Sequence, residues 1–210
     1  AALIDAMKAE GYGYAYPVLR GKDMAKAWEL RKAGLGVLGN MKGDGRTVSL
    51  VEDTAVRVED LPAYMDDFAK LLAAHGKDSV YHAHIGTGEL HIRPVLNLKD
   101  PGDVELFRTI GLETARLVKK YRGSLSGEHG DGRLRGEFIP LILGEENYKL
   151  LKELKAAWDP ENILNPGKIV DTPLMNTFLR YEPGTITPEL ETIYDFSSTE
   201  GIIRAAEKCN

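Results

Sequence analysis

The stretch Tyr81-His82-Ala83-His84-Ile85-Gly86-Thr87-Gly88-Glu89-Leu90-His91-Ile92-Arg93 reads as two strands folded back on each other about a glycine-rich turn. With Thr87-Gly88 as a two-residue turn, His84 faces His91 and His82 faces Arg93 across the hairpin. Opposed side chains lie roughly 4.5–5.5 Å apart at Cβ, and period-two alternation puts all four on one face. Two imidazoles so placed are spaced to grip one divalent ion, whose bonds to ring nitrogen run about 2.0–2.1 Å. The plain alternative is an exposed polar face whose histidines meet only water. A bulge in the turn would break this register.

Outward from the hairpin, strands and helices mix without a strict alternation. Toward the N-terminus, apolar residues at Leu61, Tyr64, Met65, Phe68, Leu71 and Leu72 have helical spacing and predict a helix over Leu61–Ala74. Thr47–Asp53 and Gly36–Asn40 read as strands around a Lys42-Gly43-Asp44-Gly45 turn. Asp23–Ala33 reads as a helix stopped by Gly34, Tyr12–Leu19 as a strand rich in Tyr and Val, and Ala1–Glu10 as a helix. Toward the C-terminus, Ser79–Ile85 and Leu90–Leu98 are the hairpin strands, and Asp100-Pro101 opens a helix running to about Tyr121. Arg133–Leu143 and Glu145–Trp158 look helical. Beyond Asp171 the periodicity fades into a proline-punctuated stretch, closed by a short helix from about Glu200 to Lys208. The pattern is α+β, a mostly antiparallel sheet covered by helices.

A second glycine-rich segment, Gly123-Ser124-Leu125-Ser126-Gly127-Glu128-His129-Gly130-Asp131-Gly132-Arg133, brackets an acid and an imidazole. Glu128 would add an anionic oxygen to the two hairpin imidazoles, completing a His, His, Glu set with an open position. His129 would remain free as a general base, since imidazole titrates near neutrality. The plain alternative is a helix-entry loop with a capping Glu and a solvated His. The Ser124 and Ser126 hydroxyls read as backbone caps. Arg31 and Arg93 could each clamp a carboxylate in bidentate fashion, with ordinary ion pairing as the other reading.

Composition bounds the class. Of 210 residues 43% are hydrophobic and 28% charged, enough apolar material for a packed core. A net charge of −5 with no Lys/Arg stripe gives no support for nucleic-acid binding. No apolar run approaches the ~18 residues that span a bilayer, and no secretory segment opens the chain. The single cysteine, Cys209, excludes an internal disulfide framework and fits a reducing compartment, so a cytoplasmic location is expected. The chain opens without a methionine and stops just after a helical-looking stretch, and is read as a piece of something longer.

Three motifs together resemble the C-terminal part of the FAD-linked oxidases, a family that includes D-lactate, glycolate and D-2-hydroxyglutarate dehydrogenases. They are His84-Ile-Gly-Thr-Gly-Glu-Leu-His91, Gly127-Glu128-His129-Gly130 and Asp159-Pro-Glu-Asn-Ile-Leu-Asn165-Pro-Gly-Lys168. Weaker similarity runs back through Glu52-Asp53-Thr54-Ala55-Val56 to Trp28-Glu29-Leu30-Arg31. The resemblance implies residues 1–170 of a substrate (cap) domain with a flavin-facing tail, 171–210 as a linker, and FAD held mostly by an N-terminal domain outside this chain. It implies a divalent metal, zinc or manganese, on His84, His91 and Glu128, and His129 as the base. Gly127, Asn165 and Lys168 would face the flavin, and Arg31 and Arg93 the substrate carboxylate. The implied reaction is oxidation of a D-2-hydroxy acid to the 2-oxo acid, with the chain inactive by itself.

Two departures stand out. The family commonly has Gly-Asp-Gly-Asn where this chain has Gly86-Thr87-Gly88-Glu89, and Arg93 stands where simpler members often have Asn. His91-Ile92-Arg93-Pro94, the Gly123–Gly132 segment and the ending Ala205-Ala206-Glu207-Lys208-Cys209-Asn210 look more like long members fused to an iron–sulfur domain. Cys209 would then be a cluster ligand, and an iron–sulfur domain or other electron carrier is an expected partner, through which a peripheral membrane location is the alternative to a purely cytoplasmic one. Two other classes remain open at this point. One is a zinc hydrolase built on His84, His91 and Glu128, against which the Asn165–Lys168 segment counts. The other is a non-catalytic binding module.

Overall fold

The computed structural model describes residues 2–208; Cys209, assigned above as a cluster ligand, lies outside them. The chain divides into two units, Ala1–Asn40 and Met41–Asn210.

The first unit holds helix α1 (Ala2–Ala9) and helix α2 (Met24–Gly39). Three expectations fail here. Tyr12–Leu19 forms no strand: Gly11 and Gly13 take positive φ, Pro17 offers no backbone donor, and the Tyr16 hydroxyl turns back to the Gly13 carbonyl at 2.9 Å. Gly34 does not stop α2, and Gly36–Asn40 is no strand, because the helix continues to Gly39. A glycine costs a helix about 1 kcal/mol relative to alanine but removes no hydrogen bond, and no proline intervenes before Asn40, whose side chain caps the Gly36 carbonyl at 3.1 Å.

The second unit is built on strands β1 (Arg46–Thr47), β2 (Val51–Ala55), β3 (Ser79–His84) and β4 (Glu89–Leu96), all antiparallel. β4 is central: β3 pairs along it, as do β2 and, at its C-terminal end, β1. The expected Thr47–Asp53 strand is thus split, with Val48–Leu50 between its two parts. Along β4 the even positions Leu90, Ile92 and Leu96 enter the core, leaving Glu89, His91 and Arg93 on the other face.

Helices α3 (Leu61–Ala74) and α4 (Pro101–Lys120) contribute to the same core through Tyr64, Phe68 and Leu72 on α3 and Phe107, Ile110, Ala115 and Val118 on α4. Both carry strong boundary signals. Asp100 caps α4, accepting the Asp103 N–H at 2.9 Å. Pro101 occupies its first turn, and Lys119 and Lys120 complement its C-terminal dipole. Helices α5 (Ile139–Leu143) and α6 (Glu145–Trp158) follow. The expected helix from Arg133 begins only at a 3-10 turn, Gly136–Phe138, because Arg133 and Arg135 reach out to neighbouring loops.

The hairpin corrects the expected register. His84 ends β3 opposite Glu89, so the connection is Ile85–Gly88, and His82, not His84, lies directly opposite His91. Val80 faces Arg93. The pairing slipped by two positions, which preserves the facing of every side chain. Gly88 closes the turn with φ +78, and a Cβ there would stand 1.9 Å from the Val56 carbonyl oxygen. Gly88→Ala is therefore expected to cost about 2–3 kcal/mol, read as a lower urea midpoint; an unchanged midpoint would show that the turn relaxes freely.

After α6 the chain returns to the body. Met175 is buried against Gly111 and Phe138. Near the C-terminus Thr187 and helix α7 (Ile202–Ala206), with Glu207 just after it, surround Lys99, only 6% exposed. Lys99 Nζ bonds Asp44 at 2.9 Å, Glu207 at 2.9 Å and Thr187 at 2.6 Å. Arg204 grips Asp44 through two bonds of 2.9 and 2.8 Å, and chiefly that contact holds the Asp44 carboxyl far below the usual range. The Lys42–Gly45 turn is thus an anchor as well as a turn. Among the described residues, no helix is long and apolar enough to cross a membrane.

Candidate active site

The face of β4 opposite the helices receives the Gly123–Arg133 loop, and one buried carboxylate holds that loop in place. Asp53 interrupts the β2–β4 register as a bulge, with φ +120. Its carboxylate accepts the backbone N–H groups of Glu128 at 2.9 Å and His129 at 3.0 Å, the Ser126 hydroxyl, and Arg135 Nη2 at 3.3 Å. Its own carbonyl accepts the Gly127 N–H at 2.7 Å. Burial alone would raise the Asp53 pKa, but the bonds from Ser126, Glu128 and His129 outweigh it and hold the group below the ordinary carboxylate range. Arg135, 5% exposed, also ties the Glu52 carbonyl at 3.0 Å and the Gly130 carbonyl at 2.9 Å. Ser124 caps the Ser126 carbonyl at 2.7 Å, as expected, whereas Ser126 serves Asp53.

So anchored, the loop presents Glu128 to the hairpin. Glu128 Oε1 lies 3.5 Å from His84 Nε2, 3.5 Å from His91 Nε2 and 3.4 Å from His129 Nε2. Ligand atoms about 2.1 Å from a tetrahedral ion stand about 3.4 Å from one another, so each Glu128–imidazole spacing suits two neighbours in a metal's first shell, while His84 and His91 would have to draw closer to share one ion. The donor atoms form two overlapping groups, each within 4.8 Å and both including Glu128: Asp53, His91, Glu128 and His129, and His84, Glu89 and Glu128. Glu128 therefore joins the two hairpin histidines, which share neither group. The His84 and His91 rings meet edge-on, 5.0 Å between centroids, and the His129 ring stacks on His91 at 5.4 Å. Burial and the neighbouring His84 lower the His91 pKa, favouring the neutral ring a metal requires.

The other expected residues divide. Arg93 pairs with Glu52, whose Oε1 stands 3.9 Å from His129 Nδ1, so the ordinary ion-pair reading describes its contact. Arg31 lies exposed on α2, in the first unit. Gly127 leaves the space that Glu89 fills: a Cβ there would lie 3.0 Å from Glu89 Cδ. Asn165, at φ +50, and Lys168 are exposed; their segment is tied to the end of the Glu-His loop by the Ile169 N–H on the Gly132 carbonyl at 2.8 Å. The sequence reading missed Asp53, Glu52, Arg135 and Glu89 as site residues. The Glu52–Val56 similarity was the available signal for the first two.

Comparisons with known proteins give the family. Residues 2–169 match the family described as FAD linked oxidases, C-terminal domain, and the chain belongs to that family. Curated relatives named D-2-hydroxyglutarate dehydrogenase include one from Pseudomonas putida, 45% identical over 151 residues, covering 72% of this chain and 15% of that protein. Another, from Escherichia coli K12, is 41% identical over 155 residues, covering 71% and 15% respectively. The glycolate oxidase subunit GlcD of Bacillus subtilis is 27% identical over 141 residues, covering 67% of this chain and 29% of that protein. The chain thus spans about 15% of the length of the first two.

Proposed function

We propose that this chain is the substrate-side part of an FAD-dependent oxidoreductase that oxidises a D-2-hydroxy acid, of the lactate, glycolate or 2-hydroxyglutarate class, to the 2-oxo acid. Residues 1–170 make the substrate domain, and 171–210, which pack back onto it through Met175, Arg204 and Glu207, connect it to an electron-accepting partner, for which an iron–sulfur module is the expectation. The observation that carries the reading is the convergence of three imidazole Nε2 atoms on one Glu128 oxygen, together with the family and the names of its relatives.

In this reading His84, His91 and Glu128 hold a divalent ion, zinc or manganese. Such an ion would supply Lewis acidity toward the substrate hydroxyl, and FAD would supply the two-electron acceptor. His129 takes the hydroxyl proton on Nε2, while Glu52, 3.9 Å from Nδ1, supports the charged ring. Arg93 is the cationic candidate for the substrate carboxylate in the Met41–Asn210 unit, exchanging Glu52 for substrate. The Glu128 and His129 backbone stays fixed by Asp53 throughout, so the proton acceptor does not drift. Gly127, Asn165 and Lys168 face the flavin.

Elemental analysis of protein purified without chelator tests the centre. Near-stoichiometric zinc or manganese is expected in the wild type and loss of it in His84→Ala. Metal-free wild type would remove the ion from the mechanism, and metal retained in the variant would place it elsewhere.

A further inference from the structure

Glu89 is 7% exposed and occupies the first position of β4, two residues before His91. Its Oε1 is shielded from solvent and has no hydrogen-bond partner. Among the described residues no Lys or Arg pairs with it: Arg93 is taken by Glu52 and Arg135 by Asp53. A buried carboxylate oxygen without a donor costs free energy unless a proton or a cation completes it, and burial together with the adjoining Asp53 carboxyl raises the Glu89 pKa. That oxygen points at the site, 4.0 Å from His91 Nε2, and groups with donor atoms of His84 and Glu128 within 4.8 Å. The backbone of Gly127 sets its direction. A Cβ at that position would meet Glu89 Cδ, Cγ and Oε1 at 3.0, 3.1 and 3.2 Å, so the side chain runs through a slot that only glycine leaves open.

We propose that Glu89 is a fourth protein ligand of the His84/His91/Glu128 centre, giving the ion a second carboxylate oxygen and raising its affinity for Mn2+ more than for Zn2+. This rests on the metal centre proposed above and adds to its ligand set. Two imidazoles with one carboxylate suit zinc as well as manganese. A second hard, anionic oxygen shifts the donor set toward the oxygen-rich shells that manganese accepts. It also explains why an acid can be buried beside Asp53 and Glu128: the positive ion compensates three carboxylates at close range.

The test is calorimetric titration of chelator-stripped protein with Mn2+ and, separately, Zn2+, in wild type, Glu89→Gln and Glu89→Asp. The amide keeps shape and loses charge, while Asp keeps charge and loses reach. Both variants are expected to lose about tenfold or more in Mn2+ affinity, with a smaller loss for Zn2+, at unchanged circular dichroism. Electron paramagnetic resonance of bound Mn2+ should report an altered shell in Glu89→Asp. Wild-type Mn2+ affinity in Glu89→Asp with a loss confined to Glu89→Gln would mean that only charge acts, overturning the ligand assignment. Unchanged affinity in both variants overturns it outright while leaving the three-residue centre standing. A wild type that binds neither ion overturns both proposals. Should Glu89→Gln fail to fold, Glu89→Asp alone decides.

Discussion

Asp53→Ala is expected to destabilise the Met41–Asn210 unit by about 3–5 kcal/mol, the range for removing one partner of a buried, hydrogen-bonded charge pair. The substitution leaves Arg135 buried without its counter-charge. It also strips the N–H groups of Glu128 and His129 and the Ser126 hydroxyl of their acceptor. Urea unfolding followed by circular dichroism measures the loss, and a difference under about 1 kcal/mol would contradict the anchoring role. The effect carries a pH signature. Because the folded-state pKa of Asp53 lies below the ordinary 3.8, its stabilisation is present above that value and is lost as pH falls through the folded pKa. The gap between wild type and Asp53→Asn should therefore be largest near neutrality and close on acidification below 3.8.

In a complete flavin-loaded enzyme containing this domain, His129→Asn is expected to slow flavin reduction by about 10²–10⁴, the usual contribution of a positioned proton acceptor. Asn keeps the backbone N–H that bonds Asp53, so the loop stays in place. Because the loss falls on proton transfer and not on binding, kcat should drop while KM changes little. Anaerobic stopped-flow absorbance of the flavin reads the step directly. Reduction within tenfold of wild type would exclude His129 as the proton acceptor.

The helices that the sequence located to the residue, Leu61–Ala74 and Glu145–Trp158, owe this to regular apolar spacing and to punctuation at their ends. The hairpin was legible in its facing but not in its pairing. Alternation fixes which residues share a face, and a slip of two positions leaves that unchanged, so His84 and His91 still meet although the turn is longer than expected. Glu128 and His129 were visible because glycines frame them. Asp53 was not, since its role depends on a bulge with φ +120 and on partners more than seventy residues away. Glu89 drew no role from the sequence because nothing local reveals that Gly127 walls its side chain toward the histidines. In α2, local glycine signals pointed the wrong way and hydrogen-bond continuity prevailed.

The cluster around Lys99 has a mechanical consequence. Lys99 sits just past the end of β4, the strand that bears Glu89 and His91, and it binds Glu207 and, through Asp44, Arg204. Tension applied to the chain after α7 is therefore borne by half-buried ion pairs and delivered to the base of β4, bypassing the exposed residues 188–195. A pull on that end of the domain loads the strand on which the candidate centre is built.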